Sequence, residues 1–489
     1  MKVVFVEHPC PVLLLGNEPW SPVRTNTWPQ SQMTLAAAIA NEHDVSILDL
    51  RSLESPADWR RQIGPEYLEP IRYSESILLT RHLIGDCKRI SDHPADAFVF
   101  TANFTSEANA VVEAIRTAKL SWPEALILVG GSDASPEERH AFYFNAGADY
   151  IGVGDGDTAL PVFLDQIKKG HRPNERIIRG GSAGVNLLNS NFSLVQKARY
   201  VESGGGPIHP GIFRNGGFAV YTEISRGCSR ECWFCSARMT DLWSPPIDEV
   251  LKHLDHIIDS GCRLLMFSDD NLLLARKTEE LVTIFRHIRE RRIAWEFPNG
   301  LEVGLLIDSK RGGFSKELFE TLFWNSESLS FFGAHRLLVP IEDALLHRSA
   351  LRKLKNVQVQ IRGLLERLLD TGIPFLNLAI MIGGVQESRD DRERLEDSLE
   401  LINRWTHSSK TRVNFSIFCT SPLPGTGLGR AALKSKKRLS HNIEEAPELW
   451  TVFASILNGD NFTAEQTTQY RRKLLRRFHM SQDEGKVRS

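Results

Sequence analysis

Three cysteines that lie close together in the sequence are the residues best suited to chemistry. Cys228, Cys232 and Cys235 stand in the turn-rich stretch 224–235 with the spacing C-x3-C-x2-C. Three thiolates from one short loop can hold three irons of a cubane iron-sulfur cluster, whereas a fully ligated cluster needs four cysteines and structural zinc needs a closed set of four ligands. The spacing therefore predicts a cluster with one iron open to a further ligand.

A second interpretation is that these three cysteines are buried or bind zinc. No C-x-x-C or H-x(3–5)-H motif follows them to complete a zinc set. Isolated cysteines elsewhere are typically small buried hydrophobic residues. Four cysteines are of that kind: Cys10, Cys87, Cys262 and Cys419.

The pattern C-x3-C-x-aromatic-C, with Phe234 as the aromatic residue, resembles the signature of the radical S-adenosylmethionine (SAM) superfamily. The resemblance implies a 4Fe-4S cluster whose open iron binds SAM. It also implies cleavage of SAM to methionine and a 5′-deoxyadenosyl radical, with an external electron donor such as flavodoxin or ferredoxin. In such enzymes the cofactor carries the difficult chemistry and the protein positions it.

Four later segments resemble the strand ends that face SAM in this superfamily. Two of them are 267–271, similar to F-x-D-D-N, and 421–426, similar to P-x-P-G-T. The resemblance implies contacts with SAM or the substrate at Ser268, Asp270, Glu342 and Gly383. Each segment alone is typical of a solvated strand end or an ordinary turn, so the prediction depends on their shared order after the cysteine loop.

Strand and helix patterns alternate after residue 218, as a site at strand ends requires. Strands are predicted at 219–226, 263–269, 294–297, 336–342, 374–382 and 412–419. Helices are predicted between them at 247–260, 277–291, 315–325, 358–371 and 389–405. Six such units resemble the partial (βα)6, TIM-like barrel of radical SAM enzymes, whose site lies at the carboxyl ends of the strands.

The first part of the chain shows the same alternation. Strand-like runs at 3–6, 45–50, 97–100, 125–129 and 150–153 alternate with helix-forming stretches. The pattern predicts a doubly wound, Rossmann-like parallel sheet, whose ligands bind beyond the carboxyl ends of the strands.

Two strand ends in this region resemble the cobalamin-binding domain that is fused to many radical SAM enzymes. Segments 129–136 and 148–156 are similar to V-G-G-x-x-A-S-x-x-P and A-D-Y-x-x-x-G-E-G-E, with Asp155 and Asp157 in place of glutamate and Pro136 early. Glycines there would let the backbone approach a flat macrocycle. The implied cobalamin contacts are Asn103, Gly130, Gly131, Gly154 and Asp155.

The D-x-H-x-x-G motif, whose histidine is the lower axial ligand of cobalt in many such domains, is missing. We expect His8 and His93 to be surface or loop residues. Two alternatives follow: cobalamin is bound with no protein imidazole below the cobalt, or the domain kept the fold and lost the ligand.

Composition sets outer bounds on these interpretations. The chain has 489 residues, 42% of them hydrophobic, which predicts two or three domains. Its formal net charge of −2 gives no overall argument for nucleic acid. No apolar stretch approaches a membrane span, and a labile cluster needs a reducing compartment, so a cytoplasmic protein is predicted. The predicted divisions are 1–180 (cobalamin-binding-like domain), 181–217 (linker), 218–429 (barrel) and 430–489 (a small helical, basic region).

Basic residues at 470–477 have two interpretations, a solvated helix face or a contact with an acidic substrate or partner. The functional prediction is a cobalamin-dependent radical SAM methyltransferase that acts on an unactivated carbon of a small-molecule or natural-product substrate. One alternative is radical rearrangement, dehydration or ring formation with cobalamin a bystander or absent. The other is a non-catalytic sensor of cluster or cobalamin occupancy. No catalytic side chain is assigned.

Overall fold

A computed structural model describes residues 1–23, 27–51, 60–181, 190–201, 208–230, 232–236, 242–307, 313–341, 357–407 and 409–483, and their side chains except those of 357–362, 436 and 479–483. The chain divides into two compact units. The first comprises Met1–Tyr200, Trp233–Ser236 and Ser421–Leu457. The second comprises Val201–Cys232, Ala237–Thr420 and Asn458–Ser489. The four sequence divisions given above remain a prediction.

The first unit contains a six-stranded, all-parallel sheet. Its strands are β1 (Lys2–Glu7), β4 (Asp44–Asp49), β7 (Ala97–Thr101), β8 (Leu126–Gly130), β9 (Tyr150–Val153) and β10 (Ile177–Arg179). Their order is β10-β9-β8-β7-β1-β4, so the winding direction reverses between β1 and β7. In sheets of this type the reversal leaves a crevice at the carboxyl ends of the two strands, which is the usual place for a ligand.

Helices cover both faces of this sheet because its strands are apolar on both sides. One face packs Val4, Val6 and Phe98 against α2 (Ala108–Ser121) and α3 (Glu137–Ala146). The other packs Val3, Phe5 and Val99 against α1 (Gln30–Ile39) and α4 (Gly156–Lys168). The predicted Rossmann-like α/β character is therefore confirmed.

A second sheet in this unit was not predicted. It is four-stranded and antiparallel in the order β3-β2-β6-β5, from β2 (Cys10–Leu15), β3 (Glu18–Pro19), β5 (Ile63–Ser74) and β6 (Ile77–Ile84). No strand was predicted between residues 6 and 45, whereas Cys10–Leu15 forms one. Two prolines, Pro65 and Pro70, obscured the long strand β5, yet proline is acceptable there because β5 is an edge strand.

The second unit contains another six-stranded parallel sheet. Its strands are β11 (Phe218–Thr222), β12 (Cys262–Phe267), β13 (Ala294–Phe297), β14 (Gly333–Pro340), β15 (Phe375–Ile382) and β16 (Arg412–Cys419). The helices are α5 (Ile247–Asp259), α6 (Leu272–Ala275), α7 (Thr278–Glu290), α8 (Lys316–Phe323), α9 (Val357–Asp370) and α10 (Arg389–Thr406). The predicted strands and helices are confirmed with bounds shifted by a few residues. The strands lie in chain order, β11 to β16, an order that a partial barrel requires; the barrel itself remains a prediction.

Helix α12 (Ala464–Asp483) lies along the edge strand β16 of this sheet. The Arg471 Nε donates a 2.6 Å hydrogen bond to the carbonyl of Ile417, and the rings of Phe415 and Phe478 are 5.8 Å apart. The helix thus covers an edge that would otherwise expose unpaired backbone groups. The remaining helix, α11 (Gly427–Lys434), belongs to the first unit. Among the described residues, no helix is long and apolar enough to cross a membrane.

Candidate functional site

The cysteine loop follows β11, the first strand of the parallel sheet in the second unit. All seven cysteines of the chain are thiols rather than disulfides. Cys228 and Cys232 are half-buried and Cys235 is exposed, whereas the other four are buried as predicted. Cys228 and Cys232 belong to the second unit and Cys235 to the first. Thiols that solvent can reach are the donor set that a cluster needs, so these three residues fit a cluster in type.

Within the described parts of the chain, no group of three histidine, cysteine, aspartate or glutamate side chains is placed to hold a metal ion. Metal binding commonly orders its own ligands, because a preformed set of thiolates would repel one another.

Two acidic residues after β12 hold the start of the cysteine loop. The Asp269 carboxylate accepts hydrogen bonds from the Ile224 N–H at 3.1 Å and from the Ser225 hydroxyl. The next residue, Asp270, accepts a 2.9 Å hydrogen bond from the Gly227 N–H. The loop therefore begins on backbone contacts with the neighbouring strand end.

Asp269 is 4% exposed, and its second carboxylate oxygen, Oδ2, has no hydrogen-bond partner among the residues that the structure describes. Burial raises the pKa of this carboxyl group to about 7, against the hydrogen bond from Ser225, which lowers it. A group of this kind is costly to ionise in place because burial penalises its charged form.

A second set of polar side chains reaches Cys228. The Glu302 carboxylate, in the loop after β13, accepts hydrogen bonds from Arg230 and, at 2.9 Å, from the Asn271 amide. The same Asn271 Nδ2 lies 4.0 Å from the Cys228 sulfur. The sequence analysis assigned no role to Arg230 or Glu302. It included Asn271 in the segment 267–271 but did not name it as a contact.

Three of the predicted SAM contacts, Ser268, Asp270 and Gly383, lie at two strand ends, after β12 and after β15. Ser268 follows β12, where its hydroxyl donates to the carbonyl of Thr222 at 3.2 Å. Asp270 is next to it, bonded to the cysteine loop as described. Phe234 is half-buried. Glu342 lies outside the described residues.

The fourth predicted contact, Gly383, begins the turn after β15. Its φ of +80° favours glycine, and an added Cβ would lie 2.6 Å from the Thr467 methyl group. Its N–H donates to Glu387 at 3.1 Å, and Glu387 pairs with Arg392 at 2.7 Å. Arg392 also donates to Thr467 and stacks on the ring of Phe462 at 3.5 Å. The turn is therefore clamped by the C-terminal segment 461–470, a contact that sequence reasoning missed.

The segment 421–427 and Trp233 of the cysteine loop pack together within the first unit. The Leu428 N–H donates to the carbonyl of Trp233 at 3.0 Å. A Cβ added at Gly427 would lie 2.0 Å from Cδ1 of the Trp233 ring, so this position has no room for a side chain. The Gly425 N–H donates to Glu138 at 2.8 Å. Segments singled out in the sequence at 129–136 and 421–426 thus end close to one another in this unit.

The predicted cobalamin contacts cluster at the carboxyl ends of β7, β8 and β9. Two of the glycines have a role in packing. A Cβ at Gly131 would lie 2.5 Å from the Ala102 carbonyl oxygen, and one at Gly154 would lie 2.1 Å from that of Gly180. Gly130 has no such constraint, with its nearest neighbour at 3.9 Å. Asn103 donates to Ser31 at 3.2 Å, and Asp155 precedes α4.

Polar side chains of this chain occupy the crevice where the strand order reverses. Gln32, 1% exposed, donates to Glu7 at the end of β1 and to Thr101 at the end of β7. Arg51 pairs with Asp49 at 2.8 Å and lies 3.5 Å from Glu7. Burial raises the pKa of Glu7, although Arg51 lowers it.

His8 is a loop residue, as expected, since it follows the last residue of β1, but it is buried, with 6% exposure. Its Nε2 lies 3.3 Å from Glu107 and its Nδ1 lies 2.8 Å from the Pro9 carbonyl. Burial lowers the pKa of His8, but the Glu107 carboxylate outweighs burial and the result is raised to about 9. A protonated imidazole engaged at both nitrogens does not fit a cobalt ligand. His93 is half-exposed.

Comparison with known proteins gives distant relatives. No protein-family model matches the chain. It is similar to a protein named "Uncharacterized methyltransferase sll1242" from Synechocystis sp., with 22% identity over 304 residues, which are 60% of this chain and 50% of the relative. It is also similar to "tRNA-2-methylthio-N(6)-dimethylallyladenosine synthase" from Methylobacillus flagellatus, with 25% identity over 209 residues, 41% of this chain and 42% of the relative. The chain thus spans about half the length of the curated relatives it matches, and both are named as enzymes.

Proposed function

We propose that this chain is a radical SAM enzyme whose Cys228, Cys232 and Cys235 hold a 4Fe-4S cluster. One observation carries the proposal: three solvent-accessible thiols with the spacing C-x3-C-x2-C follow the first strand of a parallel sheet wound in chain order. In enzymes of this class the carboxyl ends of such strands carry the site. When bound, the cluster and SAM would supply the radical that starts the reaction.

The chain's own residues would position the cluster. Asp269 and Asp270 fix the backbone of Ile224 and Gly227, so the loop enters from a defined place beside β12. Cluster assembly would itself order the three thiolates, since metal binding couples to the folding of its ligands. The proposed contacts of the cluster and SAM remain Phe234, Ser268, Asp270, Glu342 and Gly383. The proposed electron donor remains an external protein such as flavodoxin or ferredoxin.

Methyl transfer to a carbon of a small-molecule substrate is the finer part of the proposal. It is supported by the name of one relative and by the Rossmann-like sheet that precedes the cysteine loop. Cobalamin as the methyl carrier remains proposed without a protein imidazole as a cobalt ligand, because both nitrogens of His8 are engaged within the chain. The buried hydrogen bonds from Gln32 to Glu7 and Thr101, where the strand order reverses, favour a second candidate, a radical rearrangement, dehydration or ring closure without cobalamin.

Iron content tests the central proposal. After anaerobic reconstitution, we expect about four irons per chain, the number in one cubane cluster. Cys232→Ala should lose the cluster and the cleavage of SAM under dithionite. The matched control is Cys262→Ala, which removes a fully buried thiol of the same sheet and should retain iron. A Cys232→Ala protein with a full cluster would contradict the proposal.

Products and cobalamin retention separate the two candidate functions. The protein is incubated with hydroxocobalamin, desalted and examined by its visible spectrum. Methyl transfer with cobalamin requires retention of the cofactor, and both S-adenosylhomocysteine and 5′-deoxyadenosine when the substrate is present, since one SAM supplies the methyl group and another the radical. Trace retention with 5′-deoxyadenosine alone would leave the second candidate.

A further inference from the structure

One carboxylate connects three strand ends around Cys228. Glu302, after β13, accepts a 3.1 Å hydrogen bond from Arg230 Nε and a second bond from the same guanidinium. Its Oε2 also accepts from the Asn271 amide at 2.9 Å. Arg230 lies in the cysteine loop between Cys228 and Cys232, and Asn271 follows β12, so the carboxylate holds the loop against both neighbouring strands.

One donor held by Glu302 reaches a sulfur atom, and the other acts on two sulfurs through its charge. The Asn271 Nδ2 is 4.0 Å from the Cys228 Sγ, within reach of an N–H to sulfur hydrogen bond. Arg230 interacts electrostatically with both Cys228 and Cys232. The Glu302 side chain is 24% exposed and that of Arg230 40%, so solvent screens the pair only in part.

Charge and hydrogen bonds at the sulfurs set the reduction potential of an iron-sulfur cluster. Reduction adds negative charge, which a nearby cation stabilises and a nearby anion disfavours. Residues outside the ligand set therefore tune a metal site as well as orient it. The cation beside Cys228 is Arg230, which lies in the cysteine loop, and the anion is Glu302, which lies in the loop after β13.

We infer that Glu302 is a positioning residue that fixes Arg230 and Asn271 against Cys228 and thereby sets the reduction potential of the cluster, an inference that rests on the proposed function. Arg230 raises the potential and Glu302 lowers it.

The test is the midpoint potential of the reconstituted protein without SAM, measured by EPR-monitored redox titration. Arg230→Gln should shift the potential down, because a cation is removed. Glu302→Gln should shift it up, because an anion is removed from an isosteric side chain that still accepts a hydrogen bond. The double variant should return close to the parent. Loosening of the loop would instead change both single variants in the same way and lower iron content.

Glu317→Gln is the matched control, since Glu317 pairs with Arg286 on an exposed surface of the same unit. It should leave the potential unchanged. If a variant fails to assemble a cluster, Arg230→Lys, which keeps the cation, gives a second measurement, and its potential should stay close to that of the parent. Potentials of Arg230→Gln and Glu302→Gln equal to the parent would overturn the inference, whereas a parent with no cluster would overturn the proposed function itself.

Discussion

At the scale of single residues, buried titratable groups link the stability of each unit to pH. His8 and Asp269 both have a raised pKa, but one is a cation held by a partner and the other an acid held neutral by burial. For each, stability is highest at low pH and falls as the proton is lost, since the folded state binds the proton more tightly. The two differ in pH window and in the effect of removing the group.

For His8, the pH window runs from 6.5 to about 9, the ordinary and folded values of its pKa. The ion pair with Glu107 stabilises the fold fully below pH 6.5, and this contribution is lost as the pH rises through 9. We expect His8→Gln to lower the urea midpoint of the apo protein at pH 6 and much less at pH 9.5. His171→Gln, at an exposed position, is the control. An equal loss at both pH values would contradict the ion pair.

For Asp269, the window runs from 3.8 to about 7. Because the unfolded carboxyl group ionises more easily, the parent loses stability as the pH rises through this range. Asp269→Asn cannot ionise, and its Oδ1 can still accept from Ile224 and Ser225. The urea midpoint of this variant relative to the parent should therefore increase between pH 5 and pH 8, unlike that of the exposed control Asp397→Asn. A constant difference would show that Asp269 is charged throughout.

At the scale of elements, the C-terminal helix has two roles that its composition did not reveal. Its basic residues pair with α10: Lys473 and Arg477 both reach Glu396, at 2.8 and 2.6 Å. The Arg471 side chain donates a hydrogen bond to the carbonyl of Ile417. These residues of the basic stretch therefore have intramolecular acidic or carbonyl partners, which favours the first of the two sequence interpretations over an external acidic partner.

The second role concerns the turn after β15, where Arg392 links Glu387 to Thr467. Arg392→Leu removes that link, so the Gly383 turn should become less ordered. If the turn contacts SAM, SAM affinity measured by equilibrium dialysis should fall several-fold while iron content is retained. Arg394→Gln, an exposed neighbour on the same helix, is the control. Unchanged affinity in Arg392→Leu would remove Gly383 from the proposed pocket.

At the scale of the whole molecule, each unit is assembled from segments far apart in the chain. Residues 446–456 complete a core of the first unit with the antiparallel sheet. Trp450 is 2% exposed there, beside Leu13, Ile71 and Tyr73 in the same cluster. The core of the first unit therefore depends on a segment that comes after β16, the last strand of the parallel sheet in the second unit, along the chain.

Trp450→Ala should cost about 3–5 kcal/mol of unfolding free energy, as loss of a large buried aromatic side chain usually does. Urea unfolding followed by circular dichroism measures it. Leu120→Ala is the control, because Leu120 is 83% exposed. A midpoint no lower than that of the control would show that the segment 446–456 contributes little to this core.

The sequence by itself determined features that depend on near neighbours in the chain. The thiol donor set follows from the spacing of three cysteines within eight residues of chain. Most strand positions of both parallel sheets follow from local periodicity, because side-chain direction repeats every 2 or 3.6 residues; β10 was not predicted. Short apolar runs that end at glycine were sufficient to place β8 and β9.

Only the tertiary structure decided which polar side chains surround the cysteines and which strands pair outside the parallel sheets. Asn271 and Glu302 are 31 residues apart, Arg392 and Thr467 are 75 apart, and Tyr73 donates to the carbonyl of Ser455, 382 residues away. Local sequence patterns do not identify such partners, because the sequence around a loop glutamate is the same whether its carboxylate is solvated or hydrogen-bonded to a distant residue. His8 shows the same limit: its burial and its proton depend on Glu107, which the fold brings beside it from the start of another helix.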